Sequence, residues 1–95
     1  MKSQINDLVA RRDIESLYEI LTEDEDWMNQ LDAAEGLVKL GDQRGYEFLL
    51  TATLSDDEEI LEAVNEIMET PEIAKMRREI EFDHERAHRA HVLQQ

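Results

Sequence analysis

Residues 24–42 read DEDWMNQLDAAEGLVKLGD, and this stretch decides the fold. It opens on three carboxylates, Asp24, Glu25 and Asp26, with Glu23 just before them. Carboxylates suit a helix N-terminus, where backbone N–H groups lack partners and the dipole is positive. Met28, Leu31, Ala34, Leu37, Val38 and Leu40 then recur at helical spacing and are expected to form the inner face. Gly41 follows, placed for the left-handed turn that closes a helix. The spacing predicts a helix over about residues 25–40.

The same grammar extends in both directions. Downstream, Asp42 is expected to cap a helix over 43–54, with Tyr46, Phe48, Leu49, Leu50 and Leu54 as its apolar residues. Ser55-Asp56-Asp57-Glu58 has the form of a capping box, Ser at the cap and Glu three residues on. It predicts a helix over 56–69 that buries Ile60, Leu61, Val64, Ile67 and Met68. Thr70 followed by Pro71 predicts the start of a last helix, running to about residue 92, with Ile73, Met76 and Ile80 inward. Upstream, Ile5, Leu8 and Val9 mark a helix over 3–11, ending on Arg11 and Arg12. Asp13 caps another over 13–22 with Ile14, Leu17, Ile20 and Leu21 inward. The expectation is an all-α fold of six helices joined by short turns.

Composition agrees. Three glycines and one proline in 95 residues leave little punctuation beyond such turns. The length suits one domain with a modest core. The absence of cysteine excludes disulfides, thiolate metal sites and cysteine nucleophiles. No apolar run approaches the ~18 residues of a membrane span, and MKSQINDLVARRD lacks a signal peptide's apolar stretch, so a cytoplasmic location is expected. The formal charge is −14, all of it in residues 1–70; residues 71–95 are neutral overall. Such charge repels phosphate backbones and anionic membranes, which excludes them as partners, and favours a basic or mixed protein surface.

The chain also repeats. Asp24-Glu25-Asp26-Trp27 corresponds to Ser55-Asp56-Asp57-Glu58, and Ala33-Ala34-Glu35-Gly36-Leu37 to Val64-Asn65-Glu66-Ile67-Met68, both at an offset of 31. With Leu40-Gly41-Asp42-Gln43-Arg44 and Tyr46-Glu47-Phe48-Leu49-Leu50, the stretch resembles the HEAT-like repeat of the phycobilisome-lyase type. Asn29 and Gln30 stand where that repeat carries a Val-Arg pair. The resemblance implies a short right-handed α–α superhelix of stacked hairpins and a protein-interaction role. It divides the single domain into a cap helix (1–12), a repeat core (13–70) and a long polar C-terminal helix (71–95). It assigns no catalytic residue, because the repeat motif is structural.

Three features are candidates for function. Asp24, Glu25 and Asp26 form one acidic cluster; Asp56, Asp57, Glu58 and Glu59 form another. The plain account is helix capping; the sharper one is a binding edge, since stacked hairpins bring both clusters to one side. Trp27, the single tryptophan, either closes its helix entrance or anchors a partner. His84, His88 and His91 share one face of the last helix, a weak metal or pH-sensing constellation against a plain solvated stripe. No Ser/His/Asp order, phosphate-cradling Gly loop or apolar-set Lys stands out, so an enzyme is not expected and no cofactor is assigned. The expected function is an acidic adaptor that binds a basic or mixed protein surface, as a monomer or weak dimer. The alternatives are an acidic inhibitor mimicking nucleic acid and a lyase-type subunit handling a prosthetic group.

Overall fold

The computed structural model describes the backbone of residues 2–93 and the side chains of residues 2–83. These residues form six helices: α1 (Lys2–Ala10), α2 (Ile14–Glu23), α3 (Trp27–Lys39), α4 (Gln43–Ala52), α5 (Glu58–Met68) and α6 (Pro71–Leu93). No strand occurs among the described residues, so the fold is all-α as expected.

Local chemistry sets the boundaries. The carboxylates of Asp13, Asp26, Asp42 and Asp57 each accept a bond from a first-turn N–H, those of Ser16, Met28, Arg44 and Glu59, at 2.9–3.1 Å. Each satisfies a donor that the helix itself leaves open. Because Asp26 is the cap, α3 begins at Trp27 and not at residue 25. The Ser55 capping box is corrected. Ser55 Oγ accepts only the N–H of Asp57 (3.1 Å), and Asp57 is the cap, which moves the helix start two residues on. Thr70 stands at the start of α6, its carbonyl accepting from Ala74 N–H (3.1 Å), but its hydroxyl donates backwards to the Ile67 carbonyl (2.7 Å).

Two helices end alike. Gly41 has φ +84° and Arg12 has φ +58°. Around each, the N–H bonds two and three residues past the helix close the Schellman pattern: Gly41 to Val38 and Asp42 to Leu37, Arg12 to Val9 and Asp13 to Leu8, all at 2.9–3.0 Å. In both, the residue after the left-handed one is the Asp that caps the next helix. Nothing in Arg12's chemistry favours this backbone, and the sequence alone hid it.

α3 lies at the centre and packs against all five other helices. Its Leu31 and Leu37 are fully buried with Leu17, Leu49, Val64 and Ile73. The α3–α4 approach is tight at Gly45, where a Cβ would collide with the Ala34 carbonyl oxygen and lie 2.9 Å from Leu37 Cβ. Three expected core residues are not core: Met28 is 44% exposed, Leu50 43% and Leu54 81%. α4 already meets α3 through Gly45, Tyr46 and Leu49, so Leu50 falls on the far face, and Leu54 lies in the turn beyond the helix. On α5 only Val64 is fully inside; Ile60, Leu61, Ile67 and Met68 are half-buried.

Candidate protein-interaction groove

Asp26 and Asp57 cap equivalent helices at the 31-residue offset, and α3 and α5 pack side by side. Between them runs a shallow groove in two connected sections. One, of about 290 Å³, is lined by Trp27 and Met28 of α3 and by Glu59, Glu62, Ala63 and Glu66 of α5. The other, of about 320 Å³, is lined by Met28, Asp32 and Glu35, by Ala63, Glu66, Ile67 and Thr70, and by Lys2. Met28, Ala63 and Glu66 belong to both. The first residues of α3 thus face the first residues of α5, and later face later, so the two helices run in the same direction.

The chemistry is two-sided. Trp27, Met28, Ala63 and Ile67 supply the apolar surface. Trp27 is half-buried and Met28 exposed, both in a position to be covered. Asp32 and Glu35 form one wall; Glu59, Glu62 and Glu66, at i, i+3 and i+7, form the other. Lys39 approaches Glu35 at 3.5 Å, and among the described residues no ion pair engages Asp32, Glu59, Glu62 or Glu66. Glu59, Glu62 and Glu66 are exposed and Asp32 is part-buried, so these four charges are open to a ligand.

The sequence candidates divide. Trp27 and Glu59 are brought together in the groove. Asp26 and Asp57 are caps. Asp24 Oδ1 accepts from the N–H of Asp26 (2.8 Å) and from Asn29 Nδ2 (3.3 Å), tying the turn to α3. Glu25, Asp56 and Glu58 are exposed around the helix starts and do not line the groove. The side chains of His84, His88 and His91 lie outside the described residues. Among the described residues, no three His, Cys, Asp or Glu are grouped to hold a metal ion. Sequence reasoning missed Met28, Asp32, Glu35, Glu62, Ala63, Glu66 and Ile67 as groove residues. The signal was the offset itself: Met28 and Glu59, Asp32 and Ala63, Glu35 and Glu66 are each 31 apart.

A larger open concavity of about 660 Å³ lies between α1 and α2, with Leu8 and Ile20 as its apolar residues. Its Arg11 is engaged by Asp7 at 2.6 Å, and its lining mixes both charges. Its apolar lining is those two side chains, against Trp27, Met28, Ala63 and Ile67 in the α3–α5 groove.

The Asp42 carboxylate lies below its ordinary value of 3.8, chiefly through the side-chain hydrogen bonds of Arg44, with partial burial opposing. Asp13 is lowered as well, first by the Ser16 hydroxyl and then by its N–H. Both belong to helix starts outside the groove. No described helix is long and apolar enough to cross a membrane. Compared with known family models, curated proteins and solved structures, the chain matches none.

Proposed function

We propose that this protein is a small, non-catalytic interaction module, an adaptor whose α3–α5 groove receives a basic segment of a partner protein. One observation carries the reading: Trp27 and Met28 sit in a groove whose two walls are carboxylates from different helices. Apolar contact supplies binding energy, and the walls supply steering and choice of partner. The like caps 31 residues apart and the common direction of α3 and α5 support a HEAT-like stack, the short right-handed superhelix that the sequence resemblance implies. Mimicry of nucleic acid needs carboxylates on a convex ridge that enters an enzyme's cleft. The placement of five of them inside a groove favours the adaptor.

The test uses three forms of the tagged protein in lysate of the source cell: wild type, Glu62→Lys/Glu66→Lys in the groove, and Glu15→Lys/Glu47→Lys outside it. The two variants change net charge equally. One dominant basic protein, held by wild type and the outside variant, lost from the groove variant and released near ~0.5 M salt, is the expected result. Equal retention on all three forms overturns the reading.

A further inference from the structure

We propose that the segment seated in the α3–α5 groove is an amphipathic α-helix of two to three turns, with Lys or Arg flanking one apolar stripe. The inference rests on the interaction reading above and specifies its partner.

The length follows from the walls. On α3 the lining runs from Trp27 to Glu35 and on α5 from Glu59 to Ile67, with Thr70 just past the end of α5. At 1.5 Å per residue each wall is about 12 Å long, the length of a helix of about nine residues. The form follows from what the groove lacks. Its walls are helices whose backbone groups are mostly paired along their own axes, and most of the polar side chains they present are carboxylates, which only accept. An extended segment laid there finds few backbone donors or acceptors to pair with. A helix brings its own backbone bonds and presents side chains alone.

The pattern follows from the residues. Trp27 and Met28 at one end, and Ala63 and Ile67 further along, form an apolar line that a helix meets with residues spaced i, i+4 and i+7. Carboxylates stand on both sides of that line, so cations are needed on both flanks of the stripe. Five carboxylates against Lys2, with Lys39 already paired to Glu35, leave a net charge of about −3, which about three Lys or Arg neutralise. The chain's own net charge of −14 adds long-range attraction but does not select a helix.

Two synthetic peptides of about 14 residues test this, built from the same Lys, Leu and Ala residues and free of tryptophan. In one, Leu recurs at i, i+4, i+7 and i+11; in the other the same residues are permuted so that no helical face is apolar. A third carries Pro at the centre of the striped sequence. Trp27, the only tryptophan, reports occupancy of the groove by its emission, and circular dichroism reports peptide helicity. The striped peptide is expected to gain helicity on binding and to shift Trp27 emission. It is expected to bind at least about tenfold more tightly than the permuted or Pro peptide. Glu62→Lys/Glu66→Lys, and the milder Glu59→Gln/Glu62→Gln, weaken it by about tenfold or more, while Glu15→Lys/Glu47→Lys does not. If all three peptides bind wild type within about twofold and all lose affinity in the groove variants, the helix is overturned and the interaction reading stands. If the striped peptide binds the groove variants as tightly as wild type, both fall.

Discussion

Arg44 holds its guanidinium 4.0 Å from the centre of the Tyr18 ring while its Nε and Nη2 grip the Asp42 carboxylate at 2.7–3.3 Å. A residue at the start of α4 is thereby fixed to α2, and the cap of α4 is fixed with it. A planar, forked cation does both at once; an ammonium does not. Arg44→Lys is therefore expected to lower Tm, and Arg44→Ala to lower it further. Tyr18→Phe, which keeps the ring but removes the hydroxyl beside Arg44, is expected to lower it least. Thermal melts followed by circular dichroism check the order; a Lys variant as stable as wild type contradicts it.

The caps make stability depend on acid. Asp13 and Asp42 are lowered in the folded state from an ordinary 3.8. Between the folded and ordinary values the unfolded chain binds more protons, so their contribution is complete above that range and is lost as pH falls through it. Asparagine also caps but does not titrate there. Urea denaturation at a series of acid pH values is expected to show a shallower loss for Asp13→Asn/Asp42→Asn than for wild type. Parallel curves for the two proteins count against this account.

Three backbone substitutions should separate by sign. Gly45→Ala drives a methyl into the Ala34 carbonyl and the Leu37 side chain, and should cost about 1–3 kcal/mol. Gly41→Ala has open space around it but a φ of +84°, and should cost about 1 kcal/mol. Arg12→Gly releases a side chain from the left-handed region and should gain about 0.5 kcal/mol after the added freedom of the unfolded chain. Denaturant midpoints give all three values, and a destabilised Arg12→Gly contradicts a strained backbone at that turn.

The start of α5 offers a direct comparison between two neighbouring residues. Asp57→Ala removes the cap and should cost about 1 kcal/mol. Ser55→Ala removes only a turn contact to the Asp57 N–H and should cost clearly less. The capping-box assignment demands the opposite order.

What was legible in the sequence was local. Asp13, Asp42 and Gly41 act through groups within a few residues, so their type and position announce their role. Ser55 misled because two residues further on stands a second residue able to cap, and the backbone chose that one. Met28, Leu50 and Leu54 misled because periodicity shows which residues share a face but not which neighbour covers it. The groove was the least visible feature. No single helix contains it, and its carboxylates look like ordinary solvated residues until α3 and α5 are laid side by side. Only the 31-residue offset linked its two halves in advance.

The central position of α3 bears finally on how the protein comes apart. In long arrays of helical hairpins each unit touches only its neighbours, so ends fray while the middle persists. Here one helix shares an interface with each of the other five. No hairpin can detach without uncovering part of α3, and unfolding is expected as a single step. The amide protons of Leu31 through Val38 should then exchange with solvent only through global opening, with the slowest rates in the chain. A shorter or longer version made by cutting or adding a hairpin would not be a lesser or greater array; it would be a protein with a different centre.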